Sequence, residues 1–192
     1  MGRALRRADP DHARSPVIFT PTVLDGVWQI DLERRIDARG HFARSFCADE
    51  FAAHGLPTGF VQCNVSCNTR RGTLRGLHWQ AEPHPEGKLV RCTSGAIFDV
   101  AVDLRAGSPT LHRWVGTELT ARNGRALYIP PGFAHGFQTL ADDSEIFYQM
   151  TEVFHDALAR GARWDDPAFR IAWPLPAGSM SDRDRAWPDF AP

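Results

Sequence analysis

Residues 72–95 read G-T-L-R-G-L-H-W-Q-A-E-P-H-P-E-G-K-L-V-R-C-T-S-G. Two runs of alternating character, Leu74 to Gln80 and Lys88 to Thr93, flank a segment carrying Pro83, Pro85 and Gly87. Period-2 alternation interrupted by proline and glycine predicts strand, turn, strand. The segment also gathers Arg75, His78 and Lys88, three groups suited to anion binding or proton transfer, within one hairpin-sized unit.

The same pattern extends in both directions. Upstream, Pro16 to Ile36 alternates apolar and polar residues, Asp37 to Gly40 is a turn, and H-F-A-R-S-F from His41 is expected to continue as strand. A short helix is expected from about Asp49 to its stop at Gly55, and F-V-Q-C-N-V-S at Phe60 to Ser66 returns to alternation. Downstream, A-I-F-D-V-A-V-D-L-R places Ile97, Asp99, Ala101 and Asp103 on one face and Phe98, Val100, Val102 and Leu104 on the other. The second, wholly apolar set is the expected core face. Further strands follow in R-W-V-G-T-E-L, R-A-L-Y-I-P, H-G-F-Q-T-L and E-I-F-Y-Q-M-T. Many short strands with little helix predict an all-β fold, best built as a jelly-roll barrel with a few short helical segments. After Trp173 the tail is proline-rich, with one helical turn over D-R-D-R capped by Ser181, and is expected to pack across the barrel.

Composition narrows the function classes. A length of 192 residues suits one domain, expected over residues 16–192, behind a polar, arginine-rich segment at residues 1–15 expected to be a flexible arm. The net charge of −1 and the lack of a basic stripe argue against nucleic acid as a partner. No apolar run approaches a membrane span, and no signal peptide is evident, which points to the cytoplasm. Cys47, Cys63, Cys67 and Cys92 show no zinc spacing and are read as reduced thiols.

Two spaced motifs resemble those of cupin barrels. Gly124, Pro130, Gly132 and His135 match G-x5-P-x-G-x2-H in full. The other motif keeps Gly72 and His78, but Gln80 stands in place of its second histidine and Lys88 in place of its carboxylate. An ammonium ion where an anionic ligand belongs disfavours a divalent metal, so neither metal nor organic cofactor is expected. The remaining groups suit proton abstraction beside a carbonyl: a histidine base, a lysine facing the developing enolate, and Tyr148 as an acid on another strand.

The chain further resembles the dTDP-4-dehydrorhamnose 3,5-epimerase family over roughly Val23 to Asp184. The resemblance rests on F-V-Q-x-N at Phe60 to Asn64, L-R-G-L-H-W-Q at Leu74 to Gln80, G-K-L-V-R at Gly87 to Arg91, F-D-V-A-V-D-L-R at Phe98 to Arg105, S-P-T at Ser108 to Thr110 and I-P-P-G-F-A-H-G-F at Ile129 to Phe137. W-D-D-P from Trp164 and I-A-W-P from Ile171 extend it. The resemblance implies His78 as catalytic base, Asp184 as the carboxylate orienting it, Tyr148 as proton donor and Lys88 facing the enolate oxygen. It implies substrate contacts from Arg39, Gln62, Asn64, Arg75, His135, Phe154 and Arg183. The implied partner is a nucleotide-diphosphate sugar, its C3 and C5 acidified by a 4-keto group, and the implied assembly is a homodimer. Arg44, Phe154, Ala159 and Arg183 depart from the family pattern, and all four are expected in the nucleotide and sugar envelope. Parity sets Arg75 opposite His78, which weakens a simple picture of one shared face; a bulge at Gly76 would reconcile them. Rival readings are epimerisation at C3 alone, another nucleotide deoxysugar, a non-catalytic sugar-nucleotide-binding barrel, and a metal-dependent oxygenase with unexpected ligands.

Overall fold

The computed structural model describes residues 16–190, so the arm expected at 1–15 lies outside the described residues. In chain order the elements are β1 (Val17–Pro21), β2 (Trp28–Leu32), β3 (Arg35–Asp37), β4 (Gly40–Phe42), α1 (Ala48–Ala53), β5 (Gln62–Asn68), β6 (Leu74–Gln80) and β7 (Lys88–Ser94). There follow β8 (Ala96–Asp103), β9 (Trp114–Thr120), β10 (Ala126–Ile129), β11 (Phe133–Thr139), β12 (Ser144–Met150), β13 (Ala159–Gly161) and α2 (Asp182–Arg185). Strands in the order β1-β2-β10-β7-β12-β5 form one sheet and β13-β6-β11-β8-β9 a second, all paired antiparallel. This is the expected jelly roll. No helix among the described residues is long and apolar enough to cross a membrane.

The apolar residues sort into three layers. Val90, Cys92, Ile97, Ala101, Leu119, Leu127, Ile129, Phe133, Phe137 and Ile146 come from both sheets and fill the space between them. Outside the six-stranded sheet, α1 inserts the fully buried Phe51 against Ile30, Leu89 and Tyr128. Outside the five-stranded sheet, Phe169, Trp173 and Phe190 of the C-terminal segment cover Leu77, Val100, Val102 and Ala134.

That third layer corrects the expected core face of β8. Val100 and Val102 face the C-terminal segment, whereas Ile97 and Ala101 face the barrel interior together with the buried Asp99 and Asp103. Alternation identifies two faces, but here both are buried, and the barrel interior takes the face that carries carboxylates.

Local signals explain the short elements. Asp49 and Glu50 sit in the first turn of α1, where carboxylates suit the helix dipole, and Gly55 at φ 69° supplies the left-handed exit. Glu50 Oε2 accepts from the Val17 amide at 2.7 Å, tying the helix to β1. The strand expected to run on through Phe46 ends at Phe42, and Phe46 instead packs on Phe51 and Phe60. Ser181 caps α2 as expected, its Oγ accepting from the Asp184 amide at 3.0 Å.

Candidate active site

His78 on β6 pairs in register with His135 on β11, and both face a cleft whose other wall is Lys88 on β7 and Tyr148 on β12. The cleft comprises a cavity of about 530 Å³ with a smaller one of about 340 Å³ beside it, the two sharing Arg75, His78, Lys88 and Tyr148.

Arg75 and His78 reach the same cleft because β6 is irregular between them. Gly76 has φ 113°, and the β6–β11 register shifts between His135 and Phe137. A Cβ at Gly76 would stand 2.7 Å from Gly136 Cα and 2.8 Å from the His135 carbonyl oxygen, so the two strands close over a pair of glycines. A bulge at Gly76, which would reconcile the parity of the two residues, is present. Arg75 then donates from Nε to Asn68 Oδ1 at 2.7 Å.

His78 Nε2 lies 2.6 Å from Asp184 Oδ1. Burial works to raise the Asp184 carboxyl, but the hydrogen bond and charge of His78, the Gly76 amide and Ser181 outweigh it and hold the group below its ordinary value. An ionised carboxylate only accepts, so Nε2 donates to it, which leaves Nδ1 as the nitrogen that can accept a proton from the cleft. A second pair lies deeper: His135 Nε2 is 2.8 Å from Asp99 Oδ1, with Asp99 fully buried. Tyr148 is half-buried, and its phenol is raised chiefly by burial; Arg75 pulls it down and Glu86 pushes it up. Lys88 is buried, with Nζ 2.8 Å from Glu86 Oε1.

The donor set suits acid–base work better than metal binding. Gln80, at the place of a motif histidine, donates from Nε2 to the His84 and Val153 carbonyls at 2.6 and 3.0 Å and accepts from the His155 amide at 2.7 Å. Its amide therefore staples two loops at the cleft's edge. On that edge, donor atoms of His84, Glu152 and His155 come within 4.8 Å of one another. The two imidazoles are stacked at 4.4 Å with planes 19° apart, so their in-plane lone pairs do not converge on one ion.

Of the residues singled out from the sequence, His78, Tyr148, Asp184, Lys88, Gln62, Asn64, Arg75, Phe154 and Arg183 line the larger cavity and His135 the smaller. Arg39 is the exception. It lies on the β3–β4 turn with its side chain 89% exposed and paired to Asp37 at 2.6 Å, outside either cavity. Of the four departures, Phe154, Ala159 and Arg183 line the cavity as expected, but Arg44 pairs with Glu50 away from it. Sequence reasoning did not single out Glu86, Asp99 or Trp187. Asp99 had a readable signal, since it lies on the face of β8 that turned inward, whereas Glu86 precedes β7 and had none. Trp187 closes the cavity from the C-terminal segment, with the Arg183 guanidinium 5.1 Å from its ring centre.

Comparison with known proteins follows the same line. The family model described as dTDP-4-dehydrorhamnose 3,5-epimerase matches residues 21–192. A Pseudomonas aeruginosa protein of that name is 43% identical over 191 residues, covering 98% of this chain and 96% of its own. The crystal structure of a Bacillus anthracis protein of the same name, with TDP and PPi bound, superposes with TM-score 0.88 at 36% identity, over 91% of this chain and 100% of that one. A Legionella pneumophila dTDP-6-deoxy-D-glucose-3,5-epimerase in complex with dTDP-4-keto-L-rhamnose gives TM-score 0.84 at 38% identity, covering 90% and 92%.

Proposed function

The chain belongs to the dTDP-4-dehydrorhamnose 3,5-epimerase family, and we propose that its cleft inverts C3 and C5 of a dTDP-4-keto-6-deoxyhexose with His78 as base and Tyr148 as acid. The observation that carries the assignment of roles is the His78–Asp184 pair at 2.6 Å, opening into a cavity that Tyr148 and Lys88 also line. Asp184 fixes the tautomer, and Nδ1 of His78 accepts the proton from a carbon beside the 4-keto group. The electrons move onto the keto oxygen, where Lys88 and His135 supply positive charge or hydrogen bonds. Preorganised groups of this kind are worth about 3–4 kcal/mol each in the transition state. Tyr148 returns a proton from the opposite face, inverting the centre, and general acid–base transfer contributes on the order of 10²–10⁴ in rate.

Gln62, Asn64, Arg75 and Arg183 are positioned for sugar and diphosphate oxygens, and the exposed ring of Phe154 for stacking on the base. Arg39 lies outside the cavity of its own chain, on a hairpin where Ile36 is 82% exposed. Both features support a homodimer in which this hairpin reaches the neighbouring cleft, and a species of twice the chain mass is expected in sedimentation. The activity is assigned to the cytoplasm.

The test is to incubate the protein with dTDP-4-keto-6-deoxyglucose in deuterated water and follow C3 and C5 by NMR. Deuterium at both carbons is expected. Exchange at C3 alone would make it a 3-epimerase, and exchange at neither would end the reading.

A further inference from the structure

The carboxylate missing from the motif has not left the barrel. Lys88 occupies its position, and Glu86, two residues earlier, turns its side chain to the same cavity. Glu86 Oε1 sits 2.8 Å from Lys88 Nζ, with the two side chains only 7% and 10% exposed. Glu86 Oε2 is buried without a hydrogen-bond partner. Among the described residues this is the only ion pair that either group makes, so each is the other's counter-charge. An ammonium ion buried without its partner is driven toward water or toward losing its proton.

The titratable and charged groups that share these cavities with Tyr148 are Cys67 from β5, Arg75 and His78 from β6, Glu86 just before β7, Lys88 at its start, His135 from β11, Arg160 from β13 and Arg183 from α2. Glu86 is the carboxylate among them, with Asp184 standing behind His78. We propose that Glu86 is a positioning residue of this site: it anchors the Lys88 ammonium in the cavity wall and balances the positive charge that faces Tyr148. Its importance for turnover rests on the epimerase reading; its electrostatic role does not. Removing its charge leaves the Arg75 guanidinium facing the phenol without that carboxylate to offset it, which favours phenolate. The phenol therefore becomes more acidic. This direction agrees with the way Glu86 raises and Arg75 lowers Tyr148.

The chain has two tyrosines, so a Tyr128→Phe background leaves Tyr148 as the sole phenol. In that background, tyrosinate absorbance is titrated for Glu86, Glu86→Gln and Glu86→Asp, with circular dichroism confirming the fold at each pH. Glu86→Gln is expected to lower the Tyr148 midpoint by about half a unit or more, and Glu86→Asp, which keeps the charge, to leave it near the parent value. In exchange assays Glu86→Gln is expected to lower kcat about 10-fold with KM changed less than about 3-fold, and to pull the alkaline limb of the pH profile down. A midpoint that does not move in Glu86→Gln, or moves equally in Glu86→Asp, overturns the proposal. If the unmodified enzyme exchanges no protons, the epimerase reading falls, while the tyrosinate titration still decides the role of Glu86.

Discussion

His78 and Asp184 stand 106 residues apart in the chain and meet at 2.6 Å, so the C-terminal segment completes a site otherwise built on the barrel wall. Asp184 is delivered by the Ser181 cap of α2 and also accepts from the Gly76 amide at 3.4 Å. Asp184→Asn keeps the shape but removes the ionised acceptor that fixes the proton on Nε2. We expect kcat to fall by about 10²–10⁴, as when an orienting carboxylate is lost from other catalytic histidines. KM should change little. Steady-state epimerisation kinetics, with thermal unfolding as a fold control, check this.

In the proposed roles Tyr148 and His78 divide the two halves of the reaction, and their variants should therefore differ in kind. Tyr148→Phe leaves the base and Lys88 in place, so a proton can still leave and return on the His78 face. Deuterium should enter the substrate from solvent without inversion, and epimer formation should fall by about 10²-fold or more. His78→Asn should stop both. NMR of the substrate in deuterated water separates wash-in from inversion. Equal loss of the two in Tyr148→Phe would contradict the assignment of Tyr148 as the second acid.

Much of this site was legible because strands carry their side-chain parity in the sequence. Alternation located β5 to β8 and β12, and the spacing from Gly72 to His78 and from Gly124 to His135 placed two histidines that prove to be register partners. Three features escaped. The inward face of β8 was misassigned because the C-terminal segment buries the apolar face from outside, which no local pattern announces. Glu86 was passed over because a lone glutamate between proline and glycine is usually solvated; only the closed cavity wall makes it a counter-charge for Lys88. Arg39 was expected in the site by resemblance, but it is exposed and lines neither cavity of its own chain.

Asp103 offers a test of what holds the barrel end that carries S-P-T. Its buried carboxylate accepts from Arg105 Nη2 at 2.8 Å, Ser108 Oγ at 2.6 Å and Thr110 Oγ1 at 2.6 Å. Burial alone would raise this carboxyl, yet the hydrogen bonds from Arg105, Ser108 and Thr110 hold it far below its ordinary value. A carboxyl depressed on folding contributes stability that is present above the unfolded value near 3.9 and is lost as pH falls toward the folded one. Asp103→Asn should therefore destabilise the protein at pH 7 by about 1–3 kcal/mol, with the difference from wild type shrinking below about pH 4. Urea unfolding at the two pH values measures it.

Gly76 joins the fold to the chemistry. Its φ of 113° strains any side chain, and the atoms a Cβ would meet, Gly136 Cα at 2.7 Å and the His135 carbonyl oxygen at 2.8 Å, are backbone and cannot swing aside. Gly76→Ala must push β6 and β11 apart at the point where His78 faces His135. We expect a loss of about 2–4 kcal/mol of stability from the combined backbone strain and overpacking. Where the variant still folds, His78 should be displaced from its neighbours, and 1 Å of misplacement at such a centre costs on the order of 10² in rate. Gly136→Ala is the matched control: its Cβ would meet the Arg75 carbonyl oxygen at 2.8 Å from the other strand. If the close approach of the two strands is what aligns Arg75 with His78, both substitutions should lower kcat as well as the unfolding temperature. Full turnover by a folded Gly76→Ala enzyme would show that the site does not depend on that alignment.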